Sequence, residues 1–135
     1  MDKYKVAIVD DDEVALENLS FELGKDARFF LKGTARNGKQ GKKLIAKVQP
    51  DLLFLDVELP DMTGMELLQE IRDSVSWNMR IVFYTAYDKY MIYAIRGAAF
   101  DYLLKPIDKK ELEGIIDRFM KKAEESAAAS LVIPP

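Results

Sequence analysis

The sequence has no cysteine and no histidine in 135 residues. Without cysteine there is no disulfide framework and no thiol nucleophile. Without histidine there is no Cys/His zinc or haem site, no Ser-His-Asp triad, and no histidine to carry a phosphoryl group within the chain. Any metal must be held by oxygen, which favours Mg2+, Ca2+ or Mn2+. Long apolar runs are also missing. No window approaches the roughly 18 apolar residues of a membrane span. The opening MDKYKVAIVDDDE has no apolar segment ahead of its acids, so neither signal peptide nor membrane anchor is expected. Nor does charge of one sign dominate: 20 Lys+Arg stand against 23 Asp+Glu, for a net charge of −3. That balance argues against strong nucleic-acid binding by this chain, which would show a basic stripe. Arg36, Lys39, Lys42, Lys43 and Lys47 do cluster, and read as a solvated helix face. A cytoplasmic protein is the default expectation.

What is present is the make-up of one globular domain, 49% hydrophobic and 32% charged. Short apolar runs alternate with longer amphipathic stretches. The runs are Tyr4–Val9, Phe29–Ala35, Leu52–Leu55, 81–84 and 102–104. Four are nearly continuous in apolar residues, as strands covered on both faces are, and the second reads as an outer strand. Between them lie helix signals. Leu16, Leu19 and Leu23 form one apolar face ahead of Gly24. Leu44, Ile45 and Val48 form another before Pro50. Thr63 with Glu66 makes a capping box for a helix with Leu67, Leu68, Ile71 and Val75 inside. Asp88 can cap a fourth helix with Ile92 and Ile95 inside, and Asp108 a fifth with Leu112, Ile115, Ile116 and Phe119. Five β-α repeats predict an α/β fold: a doubly wound five-stranded parallel sheet in the order 2-1-3-4-5, with five helices. The chain is too short for six strands and lacks GxGxxG after the first. The pattern stops near residue 124, and residues 125–135 read as a linker or flexible C-terminal tail, in which alanine permits a short helical extension.

In such sheets, ligands bind beyond the carboxyl ends of the strands. Strand 1 ends in Asp10, Asp11 and Asp12, strand 3 in Asp56, strand 4 in Thr85 and strand 5 in Lys105. Order 2-1-3-4-5 gathers these ends. Converging carboxylates repel one another, and a hard divalent cation relieves that repulsion. Mg2+ is expected, with Mn2+ or Ca2+ able to substitute. Lys105 adds a positive charge for a phosphoryl group, and the Thr85 hydroxyl can donate to one of its oxygens. Asp56, at the centre, can act as a nucleophile and form an acyl phosphate. Positioning and charge neutralisation suffice for phosphoryl transfer, without His or Cys.

The stretches AIVDDDE, DLLFLDVELPDMTGMEL, VFYTAY and AAFDYLLKP, in this order, resemble the receiver domain of two-component response regulators, a flavodoxin-like fold. The likeness spans residues 4–123, which makes 1–124 the expected receiver domain. It implies that Asp56 is the phosphorylated aspartate. Asp11 would bind Mg2+ directly, Asp10 through water, and Glu58 through its backbone carbonyl. Thr85 and Lys105 would hold the phosphoryl group, and Tyr102 would be the aromatic switch. Lys105-Pro106 matches a bond that is cis in the family. Asp12 stands where the family usually has Glu, and Glu13 where it often has Pro; neither is expected to be essential. The stretch TAYDKYMIYAIRGAAFDYLLKPID is similar to the subfamily with a LytTR-type DNA-binding output domain, of which these residues contain none.

The resemblance also implies a partner, a sensor histidine kinase or phosphotransfer protein, that phosphorylates Asp56. The surface of the fourth helix, fifth strand and fifth helix would then switch and form a homodimer, with Tyr87, Tyr90, Met91 and Tyr93 as anchors. Helix 1, Glu13–Gly24, would carry kinase specificity. The domain would not be an enzyme beyond slow autodephosphorylation, tuned by Glu58 and Tyr87. Two alternatives are a Mg2+-dependent phosphatase with an aspartyl nucleophile, weakened by the absence of a cap insertion, and a phosphorylation-independent interaction module, weakened by the intact acid, Thr and Lys set.

Overall fold

Five parallel strands form one sheet in the order β2-β1-β3-β4-β5. The computed structural model describes residues 3–90, 93–94, 96–97 and 99–130. The strands are β1 (Tyr4–Val9), β2 (Phe29–Ala35), β3 (Leu52–Leu55), β4 (Arg80–Thr85) and β5 (Asp101–Leu104). The helices are α1 (Glu13–Gly24), α2 (Gly38–Val48), α3 (Gly64–Ile71) and α4 (Lys109–Ser130). The predicted strand order therefore holds, and helices cover both faces.

Both faces of the central strands are buried, which explains their unbroken apolar runs. Val6, Ile8, Leu52, Phe54, Val82, Tyr84 and Leu103 pack toward α1 and α4, with Leu19, Leu23, Ile115 and Phe119. Ala7, Val9, Leu53, Leu55 and Phe83 point the other way, toward Ile45 of α2 and Leu67 and Ile71 of α3. β2 lies at an edge and alternates between buried and exposed residues. Its pairing with β1 shifts register between Val6 and Ala7.

The helix ends follow local chemistry. Asp12 accepts from Ala15 N at 3.2 Å and caps α1. Asn37 accepts from Gln40 N at 2.8 Å and caps α2. Thr63 and Glu66 form the predicted capping box. Asp108 accepts from Lys110 N at 2.8 Å at the start of α4. The basic residues of the α2 stretch are all exposed, a solvated face as expected.

The expectation of five helices is corrected. Among the described residues there are four α-helices and one 3-10 turn, Asp88–Tyr90, where the fourth was predicted. Tyr93 and Ala94 are helical, but Met91, Ile92 and Ile95, two of them its intended inner face, lie outside the described residues. Other boundaries moved as well, and α4 runs to Ser130, past the limit expected near residue 124. α3 ends at Ile71, so Val75 packs from beyond the helix, and β4 and β5 each begin one residue earlier than the apolar pattern suggested. No helix is long and apolar enough to cross a membrane, among the described residues.

Candidate functional site

The sheet ladder carries the acids to one edge. One residue beyond each strand, Asp10 N donates to Ala35 O and Asp56 N to Val9 O, both at 2.9 Å. On the far side, Lys105 N donates to Thr85 O at 2.8 Å. The ends of β1, β3, β4 and β5 thereby converge, and Lys105-Pro106 is cis.

Asp10, Asp56 and Thr85 are the buried polar side chains of the described core. The Lys105 ammonium reaches over the first two. It donates to Asp10 Oδ1 and to Asp56 Oδ2, each at 3.0 Å. Asp12 Oδ2 lies 3.9 Å away. Backbone amides finish the arrangement: Asp12 N donates to Asp10 Oδ1 at 2.9 Å, and Glu58 N to Asp56 Oδ1 at 3.1 Å.

Burial dominates the electrostatics of Asp10 and pushes its pKa up from 3.8 to about 6, against the lowering effect of Lys105 and the Asp12 amide. Burial also works to discharge Lys105, but the hydrogen bonds to Asp10 and Asp56 outweigh it, and its pKa is raised. A lysine between two carboxylates stays charged.

Asp10, Asp11 and Asp56 each place one oxygen within 4.8 Å of the others. Asp10 Oδ2 is buried and accepts no hydrogen bond. The Lys105 ammonium forms an ion pair with it at 2.8 Å. An oxygen-only cluster with a buried carboxylate oxygen that accepts no hydrogen bond fits a hard divalent cation.

The other sequence-predicted residues lie around this centre. Asp11 and Glu58 have exposed side chains. The Thr85 hydroxyl accepts from Tyr87 N at 3.4 Å. Tyr102, half-buried beside Phe83 and Ala94, donates its hydroxyl hydrogen bond to the Tyr87 carbonyl. Tyr87 and Tyr93 are about half exposed, and Met91 lies outside the described residues.

Three residues were missed by sequence reasoning. Gly64 opens α3 directly behind Asp56: a Cβ there would stand 2.7 Å from Asp56 O. Asp61, in the loop after β3, accepts from Gly38 N at 2.7 Å and Lys39 N at 3.0 Å, and so clamps that loop to the start of α2. The amide donation from Gly38, helped by that from Lys39, holds the Asp61 carboxyl below its ordinary value. Tyr84 lies under Lys105, with the ammonium 5.1 Å from its ring centroid. Its hydroxyl donates to Ala15 O at 3.0 Å. Burial, then the nearby carboxylates, push the phenol up, so it stays protonated and donates. Only its place just before Thr85 hinted at this.

Comparison with known proteins agrees with the geometry. The model of the response regulator receiver domain matches residues 6–117. An uncharacterized response regulatory protein of Vibrio cholerae is 35% identical over 127 residues, 94% of this chain and 53% of that protein. The transcriptional regulatory protein BtsR of Escherichia coli is 39% identical over 118 residues, 87% of this chain and 48% of that protein. The chain thus spans about half the length of these curated relatives. Among solved structures, the REC domain of AraT, a response regulator from Geobacillus stearothermophilus, superposes with a TM-score of 0.81 at 28% identity, covering 92% of this chain and 98% of that one. The response regulator TrrA of Thermotoga maritima, in complex with Mg2+-BeF, superposes with a TM-score of 0.74 at 29% identity, covering 86% and 98%.

Proposed function

This chain belongs to the response regulator receiver family, and from that premise we propose that Asp56 is its phosphoryl acceptor in a Mg2+-dependent reaction. The observation that carries the reading is the Lys105 ammonium bridging Asp10 and Asp56 at 3.0 Å beside a cluster of three carboxylates.

An Asp56 oxygen attacks the phosphorus of a phosphohistidine on a sensor kinase or phosphotransfer protein. The O–P bond forms as the N–P bond breaks, and the imidazole nitrogen keeps the electron pair. Lys105 trades a carboxylate for a phosphoryl oxygen, and the Thr85 hydroxyl donates to another. Asp10, Asp11 and the Glu58 carbonyl would hold Mg2+, which supplies neutralisation of the charge gathering on the phosphoryl oxygens. The likeness to TrrA, whose structure holds Mg2+-BeF, supports that metal. Small donors such as acetyl phosphate serve too, since the catalytic groups are the receiver's own.

The acyl phosphate then draws Thr85 inward and lets Tyr102 rotate. Its hydroxyl bond to Tyr87 links the two positions that must change together. The segment after β4, β5 and α4 form the surface that responds, and it pairs with a second copy. Residues 1–124 constitute the receiver, and the chain from 125 leads to a DNA-binding output domain of LytTR type, supported by the length of the relatives and by the BtsR description as a transcriptional regulator. The receiver itself makes no nucleic-acid contact and works in the cytoplasm. The kinase docks on α1, where Val14 and Phe21 are each 66% exposed. Receivers are signalling domains; this one only loses its own phosphoryl group slowly.

The test is uptake of phosphoryl from acetyl phosphate with Mg2+, read by intact mass. Wild type gains one phosphoryl group and Asp56→Asn gains none. An Asp56→Asn protein phosphorylated at the wild-type rate overturns the assignment.

A further inference from the structure

We propose that Tyr84 is a positioning residue of this site: its ring holds the Lys105 ammonium in place, and its hydroxyl fixes the acidic turn through α1. The inference rests on the function proposed above and adds a residue to it.

Strand alternation turns Tyr84 away from the layer that Phe83 faces, into the one shared with α1 and α4. Its side chain is 1% exposed, so neither ring nor hydroxyl meets solvent. The ring centroid lies 5.1 Å from Lys105 Nζ, within cation–π range. The hydrogen-bond acceptors of that ammonium, Asp10 and Asp56, are carboxylates that change their partners when a cation or a phosphoryl group arrives. The ring does not. A lysine has a flexible four-carbon stem, and a neutral wall that persists in every charge state of the site keeps it aimed.

The hydroxyl acts along a second line. It donates to Ala15 O at 3.0 Å. Ala15 N donates to Asp12 Oδ1 at 3.2 Å, and Asp12 N to Asp10 Oδ1 at 2.9 Å. Three successive hydrogen bonds thus run from β4 to the buried carboxylate. A buried hydroxyl spent on a helix carbonyl that already has a helical donor is unneeded for folding α1; it is useful if the turn before α1 must be held still.

Two variants separate the two roles. Tyr84→Phe keeps the ring and removes the hydroxyl. It should weaken Mg2+ binding about threefold. Tyr84→Leu removes the ring as well. At saturating Mg2+ its maximal rate should fall about tenfold with the half-saturating donor concentration unchanged. The ε-methylene protons of Lys105 should move downfield in Tyr84→Leu and stay in Tyr84→Phe, because only the former loses the ring current. Equal rates in wild type and Tyr84→Leu, or an unmoved Lys105 resonance, overturn the ring's role. Unchanged Mg2+ affinity in Tyr84→Phe overturns the hydroxyl's, and this arm stands even if Tyr84→Leu does not fold. Failure of wild type to take up phosphoryl at Asp56 would instead sink the parent reading, since the Lys105 resonance and Mg2+ titration need no phosphorylation.

Discussion

Lys105 Nζ lies 2.8 Å from Oδ2 of Asp10, a carboxylate with no exposed surface, yet the pair does not keep Asp10 at an ordinary acidity. Burial overrides the lysine, and the folded protein holds the Asp10 proton up to about pH 6. This residue is a destabilising charge retained for its position.

The pH dependence follows in sign. The folded pKa of Asp10, about 6, lies above its ordinary 3.8. The folded state therefore binds the proton more tightly than the unfolded one. The stability this gives is complete below about pH 3.8 and is lost as pH rises through 6. Asp10→Asn has no charge to bury, so metal-free protein carrying it should exceed wild type by on the order of 2 kcal/mol at pH 7, with the gap closing toward pH 4. Urea unfolding across that range in EDTA checks it; a gap independent of pH refutes it.

Mg2+ should reverse the penalty. At about 100 times its dissociation constant, a cation bound only by the folded state adds about 2.7 kcal/mol. Asp11→Ala, at an exposed position, should leave the metal-free melting temperature within a degree or two and abolish the rise on adding Mg2+. Melting curves with and without the ion decide this, and a variant that still responds removes Asp11 from the ligand set.

Gly64→Ala tests how closely α3 must approach. Its Cβ would meet Asp56 O at 2.7 Å and Val57 Cα at 3.1 Å, both backbone atoms that cannot swing away. A cost of about 1–3 kcal/mol is expected, together with slower phosphorylation of a displaced Asp56. Wild-type values for both in Gly64→Ala would show that the helix shifts freely.

The dimer is checked by sedimentation. With Mg2+ and beryllofluoride the chain should shift from monomer toward dimer, and Tyr102→Ala should shift less. A monomer under both conditions, at high concentration, counts against the proposed surface.

Much of this was legible in the sequence because two signals coincide. Apolar runs alternating with amphipathic stretches marked the strands and helices, chain length and the missing GxGxxG favoured the strand order, and the residue after each run was polar where a site forms: Asp10, Asp56, Thr85 and Lys105. What escaped depends on long-range contact. Asp61 caps α2 across 23 residues, and no local pattern marks it. Tyr84 looked like one more core aromatic until Lys105 appeared above it. The segment at Asp88 has helix-former spacing, but the described residues Asp88–Tyr90 form a 3-10 turn.

The alternation along β4 has a wider consequence. Phe83 belongs to one core layer and Tyr84 to the other, so the sheet is a partition between two compartments that share only their edge. A core substitution in one layer is therefore felt in the other chiefly through the strand ends, where Asp10, Asp56, Thr85 and Lys105 meet.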